Sequence, residues 1–188
     1  VPQPDERSGQ LNVGSLRSVL GGGSCQVQGG RVTIVSVSPT LRPYEQTDAA
    51  ATAQLFQAAI RTTAARHYEP AQIDAWAGDV LDLGRWNHRR SVAWTTVAEL
   101  DGAVVGFSDL TPDGELDMLF VHPDAGGRGI ARQMVTAVVA EGRRRGLRSI
   151  TTHASRAARP VFERLGFVVD AENSGNRLRG VAVPNFDM

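Results

Sequence analysis

Val121-His122-Pro123-Asp124-Ala125-Gly126-Gly127-Arg128-Gly129-Ile130-Ala131 joins a short apolar run, Met118-Leu119-Phe120-Val121, to a segment whose apolar residues repeat with helical spacing. Glycines at 126, 127 and 129 let the backbone turn sharply and bring its N–H groups close to a ligand without obstruction by a Cβ. The helix that follows adds unpaired N–H groups and the positive end of its dipole, so the junction suits a phosphate or pyrophosphate. No Gly-Lys-Ser/Thr follows, so this is not a Walker loop, and the glycine spacing is not that of a G-x-G-x-x-G dinucleotide fingerprint.

The chain around this stretch has 188 residues, enough for one domain with a single good core. Formal net charge is zero, so no global field draws in nucleic acid or a membrane, and neither is expected as a partner. Every basic residue except the histidines is arginine, a coding bias that points to a GC-rich genome and to no mechanism. The single cysteine, Cys25, excludes an internal disulfide and a cysteine-based metal cluster, and no metal is expected at the site. No run approaches the ~18 apolar residues of a membrane span, and the N-terminus lacks a signal-peptide pattern. A cytoplasmic protein is expected, as a monomer or homodimer.

Residues 1–31 contain Gly-Gly-Gly-Ser and Gly-Gly runs, and the chain begins on Val rather than Met. Residues 1–37 are read as a flexible extension, with an added edge strand or docked tail at 31–37. The compact domain is expected over 38–188. Its elements are a strand at 40–43, a helix capped by Thr47-Asp48 with Ala51, Leu55, Phe56, Ala59 and Ile60 on one side, and a helix from Pro70 to Trp76. Residues 79–90 are helical or irregular. An antiparallel meander follows at 92–100, 103–110 and 115–121, turning at Asp101-Gly102 and Pro112-Asp113-Gly114. A helix from 129 to 145 ends at Gly146. A strand at 147–153, a helix at 157–165 and a closing strand pair, 167–170 with 179–183, complete the chain.

Three blocks in order carry a resemblance to a known family. They are Leu116-Asp117-Met118-Leu119-Phe120-Val121-His122-Pro123, the glycine loop with its helix, and Ala157-Ala158-Arg159-Pro160-Val161-Phe162-Glu163-Arg164-Leu165-Gly166-Phe167. Together they resemble the GNAT (Gcn5-related N-acetyltransferase) superfamily over residues 40–188. The family's pyrophosphate loop reads Gln/Arg-x-x-Gly-x-Gly/Ala; Gly126 falls at the Gln/Arg position, Gly129 at the glycine and Ala131 at the last position. The ending Pro184-Asn185-Phe186-Asp187-Met188 looks like that of a subgroup of bacterial acetyltransferases. The resemblance implies an α/β (α+β) GNAT fold. Its mixed, mostly antiparallel sheet would have about seven strands and about four flanking helices, splayed between the fourth and fifth strands.

It also implies acetyl-CoA as the donor and CoA as the product. Backbone at Leu119, Phe120 and Val121 would meet the pantetheine arm, one N–H serving as an oxyanion donor. Gly126, Gly127, Arg128, Gly129, Ile130 and Ala131 would cradle the pyrophosphate. Gly126 in place of Gln/Arg should weaken cofactor binding rather than abolish it. Ser155 aligns where members often carry an Asn near the pantetheine. Phe162 aligns with the family's usual tyrosine, which protonates the leaving thiolate; phenylalanine cannot.

An amine with pKa near ~10 is protonated at neutral pH by about 10³ to one, so attack on a thioester benefits from a base. Glu115 and Asp117 are two apart on one strand and share a face before any bulge. By resemblance, Glu115 falls where histone-acetylating members carry their base, and Asp117 where many small-molecule members are acidic. The plainer readings are a solvated turn residue and a structural acceptor. His153 ends the strand near the splay and suits proton transfer, or is simply hydrogen-bonded. His122 reads as structural. His67, Tyr68, Trp76 and Trp86 are candidates for walls of an acceptor pocket. Arg143-Arg144-Arg145 reads as a solvated helix end within conceivable reach of a CoA phosphate.

The expected function is acetyl-CoA-dependent N-acetyl transfer to a primary amine of a small molecule or peptide, by direct attack. Asp109, Glu115 and Asp117 weakly favour a cationic acceptor. The alternatives are a non-catalytic acyl-CoA-binding module and, less well matched to a neutral chain, a transferase acting on aminoacyl-tRNA.

Overall fold

A computed structural model describes residues 23–28, 31–36, 38–79 and 81–188, and the chain divides into two units, Val1–Ser38 and Pro39–Met188. In the first unit, β1 (Gly23–Gln28) pairs antiparallel with β2 (Arg31–Ser36) from Gly23↔Ser36 to Gln28↔Arg31. The strand expected over 31–37 therefore finds its partner in residues 23–28, which showed no strand pattern. Of the flexible extension expected over 1–37, residues 1–22, 29, 30 and 37 lie outside the described residues.

In the second unit, β3 (Thr40–Pro43) precedes α1 (Ala49–Thr62), α2 (Pro70–Ala77) and α3 (Leu83–Val92). Asp48 stands at the N-cap of α1 but makes no capping bond with its side chain. Its carboxylate instead takes the Glu45 N–H and the Arg42 guanidinium, each at 2.8 Å. In α1, Leu55, Phe56, Ala59 and Ile60 are buried as their spacing demands, while Ala51 is exposed. Pro70 occupies the first turn of α2, and Gln72 closes a capping box with Glu69. Asp82 caps α3 by accepting the Arg85 N–H at 3.0 Å, which settles residues 83–92 as helix.

The strands β4 (Trp94–Leu100) and β5 (Ala103–Leu110) form the expected hairpin. The run expected as one strand over 115–121 is broken at Asp117 into β6 (Glu115–Leu116) and β7 (Met118–Val121). The two pieces have different neighbours: β7 runs antiparallel to β5, whereas β6 runs parallel to β8 (Thr151–Ala154). At the break, Met118 donates its N–H to the Asp109 carboxylate at 2.8 Å rather than to a strand backbone. One run of chain thus leaves one sheet and enters another, and a slot opens beyond Asp117 between β7 and β8. This is the expected splay.

After β7 come α4 (Ile130–Arg144), β8 and α5 (Arg159–Arg164). The apolar stripe Ile130, Met134, Val135 and Val138 of α4 is buried, and Gly146 ends the helix at φ +75°. The strand expected over 147–153 is shorter, because Leu147 and Ile150 turn into the core instead of alternating. The closing segment is β9 (Ala171–Asn173), β10 (Arg177–Leu178), β11 (Val181–Ala182) and β12 (Asn185–Asp187). The closing pair is therefore β9 with β12, not 167–170 with 179–183. Phe167 and Val169 pack into the core outside any strand. Arg179 and Gly180 form the tip of the β10–β11 hairpin, both at positive φ, and Arg179 donates to the Ala75 carbonyl.

The two sheets run β3-β4-β5-β7 and β6-β8-β12-β9. Adjacent strand residues show how the helices cover the first sheet. Val97 packs with Phe56 and Ile60 of α1, while its neighbour Ala98 packs with Ile130 and Met134 of α4. A third cluster, with Leu116, Val138, Phe162 and Phe186, carries the core under the second sheet. The architecture is the mixed, mostly antiparallel α/β fold expected, with five α-helices among the described residues rather than about four.

Candidate active site

Among the described residues the strand β7 has a partner on one side only. His122 donates its N–H to Val105 at 2.8 Å, so Phe120, two residues back, also faces β5. Alternation then turns the N–H and C=O groups of Leu119 and Val121 toward the open edge. Beside that edge lies a cavity of about 600 Å³, lined by Leu119, Phe120 and Val121, by Gly126, Gly127, Gly129 and the first turn of α4, and by Ser155 and Phe162 across the slot. Gly127 and Gly129 hold φ +76° and +77°, a region side chains rarely adopt, and the space beside each is empty. Gly126 is ordinary at φ −59°, so it is not required for the turn. The first intrahelical bond of α4 runs from Gln133 N–H to Gly129 at 3.0 Å. The N–H groups of Ile130, Ala131 and Arg132 are therefore left for a ligand.

A second cavity of about 690 Å³ opens on the other side of the slot. Its apolar wall includes Phe56, Tyr68, Trp76, Trp86 and Phe120, and its polar groups include Asp82, Arg85, Arg89, Asp117, His153 and Arg179. Leu119, Phe120, Trp76, Ser155, Ala158 and Phe162 line both cavities, so the two meet at the open edge of β7. The aromatic wall is continuous, with Phe120 against Phe56 and Phe107 at ring-centroid distances of 4.9 and 5.7 Å.

A family model described as an acetyltransferase (GNAT) domain matches residues 64–182. The chain belongs to the GNAT family of acetyltransferases. It is 32% identical over 148 residues to the uncharacterised N-acetyltransferase YafP of Escherichia coli, a match covering 79% of this chain and 93% of that protein. The acetyltransferase is also similar to the crystal structure of a GCN5-related N-acetyltransferase from Rhodopseudomonas palustris. There the TM-score is 0.77 and the identity 35%, over 83% of this chain and 97% of the other. At the level of fold alone it is similar to the PaiA N-acetyltransferase of Thermoplasma acidophilum in complex with coenzyme A. That match has a TM-score of 0.66 at 15% identity, over 80% and 96% of the two chains. The chain is an acetyltransferase enzyme of a family that uses acetyl-CoA.

The acetyltransferase places its sequence-nominated residues unevenly. Ile130 and Ala131 line the loop-side cavity; Arg128 does not, and Arg132, in the first turn of α4, does. Arg144 and Arg145 pair with Glu141 at the far end of α4, about 20 Å of helix away from the glycine loop. His122 accepts the Asp124 N–H in the turn after β7, a structural bond. His67 lines neither cavity, whereas Tyr68 lines the second and joins the Pro184 carbonyl to the Arg156 N–H. Ser155 accepts the Ala158 N–H at 3.1 Å, which closes the turn before α5 and leaves the hydroxyl hydrogen available.

Two of the three carboxylates expected to favour a cationic acceptor are held by arginines, Asp109 by Arg90 and Asp117 by Arg89, and for these two that expectation is corrected. Asp109 is fully buried, 2.8 Å from the equally buried Arg90. Burial raises its carboxyl, with Arg90 opposing. Asp117 lines the second cavity but is held by Arg89 at 3.2 Å and approached by Arg90 at 3.6 Å. Glu115 lines neither cavity; its side chain points at His153. Burial raises its carboxyl, Asp117 adds to the rise and His153 opposes it. His153 does line the second cavity, and its Nδ1 lies 2.7 Å from Asp187, a residue that showed no functional signal in the sequence. Asp187, next to the last residue, is identified only by the register of β12 on β8.

Proposed function

We propose that this acetyltransferase transfers the acetyl group of acetyl-CoA to the primary amine of a small molecule or peptide, by direct attack at the slot beyond Asp117. The observation that carries the reading is the meeting of two cavities at one unpaired strand edge, β7. The glycine-loop cavity fits the donor. Its open N–H groups at α4 and its two left-handed glycines suit a pyrophosphate, and the free edge of β7 suits an amide-bearing arm. Arg132 replaces Arg128 as the side chain that would meet a phosphate. When bound, acetyl-CoA supplies the acetyl group as an activated thioester.

The residues of this chain would do the rest largely by positioning, which can supply several kcal/mol. Leu119 and Val121 N–H groups aim at the slot, where one of them would stabilise negative charge on a carbonyl oxygen. Phe162 closes the slot as an apolar wall and moves no proton. A thiol with a pKa near ~8.5 leaves without an acid, and the Ser155 hydroxyl stands at the junction to receive it. His153 would accept the proton of the amine. Thiol release from acetyl-CoA, measured over a panel of primary amines, is expected to be saturable in both substrates. Saturable CoA binding without release for any amine would overturn the proposal.

A further inference from the structure

His153 stands between two carboxylates delivered by different strands. Register places Asp187 of β12 directly opposite it, with the Asp187 carboxylate 2.7 Å from Nδ1. Parallel pairing of β6 with β8 brings Glu115 beside it from the other side, with Oε1 3.5 Å from Nε2. A carboxylate only accepts, so the short contact requires the hydrogen on Nδ1. In the neutral imidazole, Nε2 is then an acceptor, facing a second acceptor across a gap longer than a good hydrogen bond. Among the described residues no hydrogen-bond donor reaches the Glu115 carboxylate, and His153 itself lines the cavity assigned to the amine.

We infer that Asp187 is a positioning residue that fixes His153 as its Nδ1–H tautomer, so that Nε2 is the acceptor that takes an N–H of the amine nitrogen. This rests on the amine-acetylation reading and names where the amine is held. An ammonium N–H donates to Nε2. Proton transfer then breaks one N–H bond of the amine and forms Nε2–H. Asp187 balances the imidazolium charge, and the proton leaves to solvent, to which the His153 side chain is 54% exposed. The charged groups that bear on this pair are Asp187 on His153, and Asp117, Asp113 and Arg89 on Glu115.

Asp187 is separable from the fold. Its neighbours Phe186 and Met188 are the buried residues of the segment, while its own side chain is 39% exposed. Nitrogen and carbon NMR of the imidazole in the full chain, without ligand, is expected to show the Nδ1–H tautomer. Asp187→Asn should shift the majority to Nε2–H, while Asp187→Glu keeps the wild-type form. For the best amine, Asp187→Asn should lower kcat/KM about ten- to a hundredfold, a share of the roughly 10²–10⁴ that a general base contributes. The acidic limb of its pH profile should move, with CoA affinity unchanged. An Nε2–H majority in the wild type, or an Asp187→Asn variant with unaltered tautomer and unaltered profile, would overturn the inference. Failure of the amine reading shows separately, as a wild type that releases no thiol, and the tautomer of the unliganded protein decides the inference either way.

Discussion

Arg90→Met is expected to destabilise the protein by about 3–5 kcal/mol, because it strands a buried carboxylate. Both Arg90 and Asp109 side chains are 1% exposed, 2.8 Å apart, and the guanidinium lies over the Trp86 ring at 4.6 Å. Burial lowers the Arg90 pKa, chiefly against the pull of Asp109, and raises that of Asp109 to about 6. Removing the cation removes the main influence holding the Asp109 carboxyl down, so its pKa rises further. A carboxyl whose native pKa exceeds its unfolded value binds more protons in the native state across that interval, and stability therefore falls as pH rises. The variant should be most stable near pH 4 and lose stability as pH climbs through 6 and beyond. Arg90→Met with Asp109→Asn should recover more than half, since the amide oxygen can still take the Met118 N–H. Urea midpoints at pH 5 and pH 8 test this; a loss below about 1 kcal/mol at pH 8 would contradict the isolation argued for this pair.

His153→Gln is expected to lower kcat/KM by about 10²–10⁴, the range a positioned base supplies. His153 lines the acceptor-side cavity and not the glycine-loop cavity, so CoA affinity should stay within about twofold of wild type. Stability should change by less than about 0.5 kcal/mol, since the side chain is half exposed and outside the core. Steady-state kinetics with calorimetric CoA titration separate the two effects. A fall in kcat/KM below threefold would remove His153 from the chemistry.

The glycine loop and its helix were legible because local geometry decides them: φ +77° at Gly129 and a buried stripe spaced by three and four need no partner to be read. The splay was legible only through family resemblance, since its physical cause, Met118 donating to Asp109, joins residues nine apart on two strands. Pairings between distant residues were hidden. Arg90 ends the run 79–90, read only as helical or irregular, yet it is fully buried. In the sequence alone, Asp109 weakly favours a cationic acceptor as an acidic residue on a strand adjacent to that of Glu115 and Asp117, and adjacency does not show what covers it. Asp187 and His153, 34 residues apart, meet only through the β12–β8 register. Short strands at the end of the chain carry too few residues for alternation to register. That is why the 171–187 region was misplaced by several residues.

Backbone amide exchange along β7, with and without CoA, tests the central claim most directly. Phe120 and His122 face β5 and should exchange slowly in both states, whereas Leu119 and Val121 face the open edge and should exchange fast until CoA is added. Saturating CoA should slow Leu119 and Val121 by about tenfold or more and shift the amides from Gly127 to Ala131. Bound CoA that leaves Leu119 and Val121 exchanging as before would contradict the claim that the free edge of β7 holds the donor.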